Sequence, residues 1–313
     1  MQGEGVFKMI LVPVDGSVPS VIAQELVASL AKKFESRVTV IHVVAHELMK
    51  PHIQQYIPKE PEYVLVGVAV GSPPTAVHAP KTPAASSPKE VSGEISDWYH
   101  QKGKQAVAEA LAFFKEQHIP ADQKIIENAD PAETIIQEAQ RGNYDLIVLG
   151  YSGHEEDEPH LGSIAVKVSR HAHTPVLIAR ERRRIRKILV PVDGSESAER
   201  ALRSAALIAR KTNAKITLLY VQESSIHKLK PEIAKGIGTN ILARAADLAK
   251  EAKLDQKLES GDPAKVIIQT AKNGDYDLIV IGNKGHSTIS RFLLGSVSDH
   301  VIHYTDRSVL LVR

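Results

Sequence analysis

Short apolar runs alternate with amphipathic stretches along most of the chain. Residues 188–192 are all apolar or proline, which is typical of a strand buried on both faces of a sheet. Residues 198–211 instead repeat apolar side chains every three or four positions, which predicts a helix with one buried face. The alternation continues, with strands at 215–221, near 256–259, at 277–281 and at 308–312, and helices at 237–253, from Pro263 to Asn273 and up to Tyr304. It predicts an α/β fold with a parallel sheet and helices on both faces.

Long segments of the first half recur in the second half. Residues Ile10–Ser17 read ILVPVDGS, and residues Ile188–Ser195 read the same. Two further pairs of segments match closely: Asn128–Gly150 with Ser260–Gly282, and Thr174–Arg180 with Arg307–Arg313. This repetition predicts two tandem copies of one domain, 1–180 and 187–313, each a five-stranded parallel open sheet of the Rossmann-like kind.

The first copy contains a long insertion. The offset between matching segments falls from 178 to 132 residues, so the first copy has 46 additional residues, near 46–91. This segment holds eight of the chain's 17 prolines and one alternating apolar run, Tyr63–Val70, and otherwise has the composition of an extended loop. We interpret it as a passive loop; a lid or a partner-docking segment is the alternative.

The linker between the copies is short and basic, reading ERRRIR at 181–186. A nucleic-acid patch is one interpretation of its four arginines. However, no aromatic side chains are interleaved with them, and single-stranded nucleic acids need such stacking surfaces. We therefore interpret the linker as a solvated hinge and expect no nucleic-acid partner.

Composition narrows the classes of function. The 313 residues include no cysteine, which excludes disulfides, thiolate metal sites and a cysteine nucleophile. No apolar run approaches the roughly 20 residues of a membrane span and no signal sequence is visible, so we expect a cytoplasmic protein without a membrane partner. The net charge of +2 hides an asymmetry, because residues 1–180 contain 16 Lys and Arg against 22 Asp and Glu, while residues 181–313 contain 23 against 15. The two copies therefore suit different ligands or partners.

A glycine-rich loop follows the fourth strand of the second copy. It runs from Gly282 to Ser296 with the spacing G-x2-G-x9-G-S. Glycines let the backbone turn and bring N–H groups close to a ligand, and the helix that starts after Gly295 offers its positive end to a phosphate. Side chains that can add donors or positive charge are Lys284, His286, Ser287 and Arg291. The loop is a candidate phosphate cradle; the alternative is a flexible loop whose glycines serve only its turns.

The motifs together resemble a known family. ILVPVDGS, DLIVIG leading into the glycine-rich loop, and VSDHVIHYTDRSVLLVR are similar to the universal stress protein family in its tandem two-domain form, over essentially all of the chain except 46–91. Such proteins have an adenine nucleotide alpha hydrolase-like fold, and the branch that keeps the G-x2-G-x9-G-[ST] motif binds ATP. The resemblance implies an ATP site in the second copy, with AMP or ADP as alternatives. It assigns the phosphates and ribose to Gly282, Gly285, Gly295 and Ser296 with Val297 alongside, the adenosine or a metal to Asp193, and the adenine to the backbone of Val221.

Asp193 also has a physical argument of its own. A carboxylate at the end of a strand repels a triphosphate unless a cation or a ribose hydroxyl lies between them. Mg²⁺ tolerates one or two carboxylates together with phosphate oxygens, so Asp193 is a candidate Mg²⁺ ligand. The alternative is that Asp193 only caps the following helix.

The first copy departs from the loop pattern. It keeps matching residues at Asp15, Val43, Gly150, Gly153, Gly162 and Ser163. Before Gly162, however, it has eight residues instead of nine, HEEDEPHL, which place four carboxylates beside any polyphosphate. We therefore expect a weaker or metal-dependent nucleotide site in the first copy, or none.

Two other chemistries have candidate residues in the sequence. Four histidines near the acidic loop of the first copy are candidate zinc ligands: His154, His160, His171 and His173. The alternative is that they are ordinary surface histidines. An ATPase or self-phosphorylating enzyme needs a positioned base or attacking group, and the candidates are Asp193, His286, Ser287 and Ser296. No spacing among them requires catalysis. The sequence therefore favours a nucleotide-dependent stress or signalling module over an enzyme or a nucleotide-free interaction module.

The resemblance also implies an assembly. In this family the last strands of two domains pair, so the two copies are expected to form an internal pseudo-dimer that covers two strand edges. Whether two chains pair again as a homodimer is left open, as is the identity of any protein partner.

We predict that the two copies bind ATP unequally. The four carboxylates in the loop of the first copy oppose a polyphosphate by about 1 kcal/mol each at short range, so its affinity is the lower one. Isothermal titration with ATP checks this. Two equal ATP sites per chain would contradict the prediction.

Overall fold

A computed structural model describes residues 7–44, 88–127, 129–152, 161–182, 184–223, 230–285 and 294–313. The apolar run Tyr63–Val70 and the insertion up to residue 87 lie outside the described residues, so their predicted conformation stays a prediction. In the described part of the chain, no helix is long and apolar enough to cross a bilayer.

Strands and helices alternate in both halves, as the sequence predicts. The first half contains β1 (Met9–Pro13), α1 (Val18–Phe34), β2 (Arg37–Val44), α2 (Pro88–Glu116), β3 (Ala121–Glu127), α3 (Pro131–Arg141), β4 (Leu146–Gly150), α4 (Ser163–His171) and β5 (Val176–Ala179). The second half contains β6 (Lys187–Pro191), α5 (Glu196–Thr212), β7 (Lys215–Glu223), α6 (Pro231–Leu248), β8 (Leu254–Gly261), α7 (Pro263–Asn273), β9 (Leu278–Gly282), α8 (Ser296–Tyr304) and β10 (Ser308–Val312).

The bounds of one helix differ from the prediction. The helix expected at 237–253 lies at Pro231–Leu248 instead. Pro231 occupies the first turn, where its fixed φ favours a helix and its missing N–H is not needed. At the other end the helix stops before Ala252, whose N–H forms a short turn with the carbonyl of Ala249 at 2.9 Å.

The ten strands of the described residues belong to one sheet, in the order β3-β2-β1-β4-β5-β10-β9-β6-β7-β8. Neighbouring strands are parallel except β5 and β10, which pair antiparallel. Leu177 lies opposite Leu310, its equivalent in the repeat, so a pseudo-two-fold axis passes between these two residues. The predicted α/β fold with two tandem parallel sheets is confirmed, and the two sheets join through their last strands.

Helices cover the sheet on both faces, and the two faces join the halves differently. On one face, buried residues of α1, α2, α5 and α6 form a single core with the strands, and this core is continuous through Leu177 and Leu310. On the other face, α3 and α4 cover one cluster and α7 and α8 cover another. Leu161, in the loop before α4, packs against both of those clusters. The halves therefore share hydrophobic contacts on each side of the sheet.

Replacing Leu310 by Ala should destabilise the whole chain. Leu310 is 1% exposed at the centre of the β5–β10 pairing, and a cavity there costs about 2–5 kcal/mol of unfolding free energy. Leu248→Ala is the matched control, because Leu248 is 38% exposed and its truncation should cost only about 1 kcal/mol. Urea unfolding measures both variants, and equal losses would contradict the role given to this pairing.

Candidate functional site

The turn after β6 positions Asp193 at the carboxyl edge of the sheet. The N–H of Ser195 donates to Asp193 Oδ1 at 2.9 Å, and the intervening Gly194 has a φ of +84°, a value that glycine adopts without strain. Ser195 is the N-cap of α5, since its side chain accepts the N–H of Ala198 at 3.3 Å. The alternative that Asp193 caps this helix is therefore wrong.

The end of β9 packs directly against the first turn of α5. A Cβ placed on Gly282 would lie 2.7 Å from the carbonyl carbon and oxygen of Ser197, so only glycine fits without movement. The hydroxyl of Ser298 donates to the Gly282 carbonyl at 2.7 Å, and the hydroxyl of Ser197 donates to the carbonyl of Lys284. The start of the glycine-rich loop is thus hydrogen-bonded to α5 and to α8.

The two ends of the loop meet beside Asp193. The N–H of Gly295 donates to the carbonyl of Asn283 at 2.8 Å. A Cβ on Gly285 would lie 2.8 Å from Asp193 Oδ2, so the carboxylate contacts the loop backbone directly. The helix α8 begins at Ser296, and no side chain of the described residues caps it. Its first N–H groups therefore provide a positive helix end next to these glycines.

Val221 lies where the edge of β7 becomes open. The N–H of Val192 donates to the carbonyl of Leu219 at 2.9 Å, so the polar groups of Leu219 face β6. Those of Val221, two residues further along the strand, face the same side. The pairing of β6 with β7 ends where Pro191 lies opposite Leu219. On the opposite edge of β7, the pairing with β8 continues past Val221. The backbone of Val221 therefore faces the side of the strand that lies beyond the end of β6.

The described residues bring together most of the predicted set. Asp193, Gly282, Gly285, Gly295 and Ser296 lie at this one edge, and Val297 packs against the core beneath α8. His286, Ser287 and Arg291 lie outside the described residues, so their predicted contacts stay predictions.

The first half has a cavity of about 450 Å³ at the equivalent edge. Of the predicted residues, those that line it are Asp15, Val43, Gly150, Gly162 and Ser163. The same bonds recur: the N–H of Ser17 donates to Asp15 Oδ1 at 3.0 Å, and the N–H of Gly162 donates to the carbonyl of Tyr151 at 2.7 Å. No lysine or arginine is among the described residues that line the cavity. Gly153 and the acidic segment up to residue 160 lie outside the described residues.

Two residues that the sequence analysis did not single out distinguish the halves. Tyr220 of β7 packs on Gly238 of α6, where a Cβ would lie 2.7 Å from the Tyr220 ring. His42 occupies the matching place in β2, with its Nδ1 2.6 Å from the Val14 carbonyl, and lines the first cavity. Burial raises the pKa of the Tyr220 hydroxyl, and the negative charge of Asp193 adds to this effect. The repeat offset of 178 residues aligns His42 with Tyr220, so a position-by-position comparison of the two copies could have identified this pair.

Among the described residues, no group of three His, Asp or Glu side chains is arranged to hold a metal ion. His154 and His160 fall outside that part of the chain, so the zinc hypothesis is untested there.

The fold and this edge define a doubly wound α/β protein of duplicated architecture. The model of the universal stress protein family matches residues 68–180 and 184–313, and the chain belongs to that family, as its motifs predict. The first match starts after β2, yet β1 and β2 occupy the positions in the sheet that β6 and β7 occupy in the second half.

Relatives agree with this assignment. The universal stress protein YxiE of Bacillus subtilis is 32% identical over 146 residues, which are 41% of this chain and 98% of YxiE. The crystal structure of a universal stress protein from Archaeoglobus fulgidus covers 100% of this chain and 99% of its own, at 19% identity and a TM-score of 0.66, and thus has the same tandem fold. A universal stress protein solved in complex with cAMP is 30% identical over 42% of this chain, with a TM-score of 0.34.

Replacing Gly282 by Ala should destabilise the second half. The new methyl would lie 2.7 Å from the Ser197 backbone, so β9 or α5 must shift, at about 1–3 kcal/mol. Gly236→Ala is the control: a Cβ at Gly236 meets nothing within 4 Å, and alanine favours this helical position by about 1 kcal/mol. Chemical unfolding should show a lower free energy of unfolding for Gly282→Ala and a higher one for Gly236→Ala. An unchanged free energy of unfolding for Gly282→Ala would refute the packing argument.

Proposed function

We propose that this protein is an ATP-binding universal stress protein whose main nucleotide site lies in the second half. ATP occupies the edge formed by the turn after β6, the end of β7 and the glycine-rich loop. Its occupancy stabilises one conformation of the chain, which a protein partner reads. Binding of ATP at about 100 times its Kd adds about 2.7 kcal/mol to the free energy of unfolding.

The observation that carries this proposal is the closed loop beside Asp193. The bond from Gly295 to Asn283 brings the two ends of the loop together, and the start of α8, which no described side chain caps, lies at that point. Phosphate oxygens are well suited to such N–H groups, because an α-helix N-terminus is an anion site. The open edge at Val221 supplies backbone groups for the adenine ring.

Asp193 fits a Mg²⁺ ion that accompanies ATP. Its Oδ1 accepts the Ser195 N–H, which orients the carboxylate, and its Oδ2 faces Gly285 in the loop. One protein carboxylate together with phosphate oxygens and water is an ordinary Mg²⁺ environment. When bound, the ion would neutralise part of the phosphate charge next to Asp193.

The cavity of the first half supports a second, weaker nucleotide site. It has the loop closure at Gly162 and the start of α4, but its described lining includes Asp15 and no basic side chain. A polyphosphate there depends on backbone N–H groups and on a bound cation for its neutralisation. The affinity of the first site is therefore below that of the second.

Gly295→Val should abolish high-affinity ATP binding. A Cβ on Gly295 already lies 3.3 Å from the Asn283 carbonyl and 3.4 Å from Lys284 Cα, so the branched side chain pushes the loop ends apart. We expect a loss of affinity of about tenfold or more in isothermal titration. Gly236→Ala is the control, because a Cβ at this position in α6 meets nothing within 4 Å and leaves both loops unchanged. If Gly295→Val folds normally and binds ATP like the unmodified protein, the loop is not the ATP site.

A further inference from the structure

Two arginines at the ends of the paired strands reach into the opposite halves. Arg180 follows β5, and its Nη2 donates to the carbonyl of Ile302 in α8 at 2.7 Å. Arg313 follows β10, and its Nη2 donates to the carbonyl of Ser169 in α4. Both the donors and the acceptors are 133 residues apart, so the same contact is made twice across the pseudo-two-fold axis.

The acceptors lie in the last turns of the two helices whose first turns face the nucleotide sites. Carbonyl groups in a last helical turn have no partner within the helix and form the negative end of its dipole. A guanidinium there both satisfies the carbonyl and complements the dipole. Each of these helices is thus placed with its N-terminus at its own site and its C-terminus on an arginine of the other half.

Arg180 is well suited to hold a fixed position. It is 7% exposed, and its own N–H donates to the Ser308 hydroxyl at 3.1 Å. Burial lowers the pKa of Arg180 to about 10, so its side chain still carries its charge at neutral pH.

The same guanidinium also contacts the loop of the first site. Its Cζ lies 5.4 Å from the centre of the Tyr151 ring, within the range of a cation–π interaction. Tyr151 directly follows Gly150, and its carbonyl accepts the Gly162 N–H that closes that loop. One side chain therefore contacts the loop of the first half and the helix of the second.

A second set of contacts joins the same two helices. Arg170, in the last turn of α4, donates through Nε and Nη2 to the two carboxylate oxygens of Asp299, at 3.0 and 3.2 Å. Asp299 lies in the first turn of α8, close to the proposed phosphate position. Leu161, which lines the first cavity, packs against the core under α8 as well as its own.

From this geometry we propose that Arg180 is a positioning residue that couples the two sites. The loop of the first half, through Tyr151 and Arg180, sets the position of α8 and with it the phosphate end of the second site. Arg313 makes the reciprocal contact with α4. The effect on ATP rests on the proposed function, whereas the coupling between loop and helix does not.

The coupling is tested first without nucleotide, by hydrogen exchange of the α8 amides in the full chain. Tyr151→Leu removes the ring that Arg180 covers, and we expect faster exchange in α8 although the change is in the other half. In an Arg180→Met background the same change should add nothing further. Two controls should leave exchange in α8 unchanged. Tyr151→Phe keeps the ring, and Arg182→Met removes an exposed arginine of the linker that lies 3.3 Å from Glu25.

The consequence for ATP is tested by titration of the same variants. Tyr151→Leu and Arg180→Met should each weaken the second site about fivefold or more, and the double variant should be no weaker than Arg180→Met alone. The ATP affinity of Arg180→Lys should lie between those of the unmodified protein and Arg180→Met, because an ammonium keeps the charge but not the planar guanidinium that spans both contacts.

Each outcome decides a separate claim. If Tyr151→Leu leaves exchange in α8 unchanged, or acts equally with and without Arg180, the coupling is refuted. If exchange in α8 shows the coupling but the unmodified protein does not bind ATP, the proposed function fails and the coupling stands. If ATP binds and its affinity is the same in all variants, Arg180 does not position the site.

Discussion

The antiparallel pairing of β5 with β10 is the contact on which the rest of the molecule depends. Without it, each half would present the edge of a parallel sheet, with unpaired N–H and C=O groups along its last strand. With it, ten strands form one sheet, and the core on one face runs through Leu177 and Leu310 without interruption. The pairing also brings the ends of α4 and α8 within reach of arginines from the opposite halves.

Duplication around this axis produces two similar edges in halves of different net charge. In the second half, the loop ends meet beside Asp193, and that half carries the excess of basic residues. In the first half, the same backbone bonds shape a cavity whose described lining has no basic side chain. The proposed function assigns the stronger nucleotide site to the edge of the second half and the weaker one to the edge of the first. The helices that begin at these two edges, α4 and α8, contact each other through Arg170 and Asp299.

The sequence predicted the parts that depend on local patterns. Buried parallel strands are apolar throughout, so ILVPV and its repeat located β1 and β6, and the spacing of glycines located the loop that ends at Gly295. The sequence pattern did not predict contacts between distant residues, such as the hydrogen bond from Arg180 to Ile302, 122 positions away. The capping role considered for Asp193 also needed the structure, in which the hydroxyl of Ser195 accepts the N–H of Ala198 and caps α5. The packing of Tyr220 on Gly238 likewise follows from the crossing of strand and helix.

Native mass spectrometry of the protein as purified tests the central claim most directly, since it counts nucleotides on each intact chain. We expect a species that carries one adenine nucleotide at low added ATP, and a second nucleotide only at much higher concentration. In the Gly295→Val variant, the species that carries one nucleotide at low added ATP should be missing while the fold is retained. A protein that stays free of nucleotide at every ATP concentration would contradict the claim, and so would a Gly295→Val variant that takes up its first nucleotide as readily as the unmodified chain.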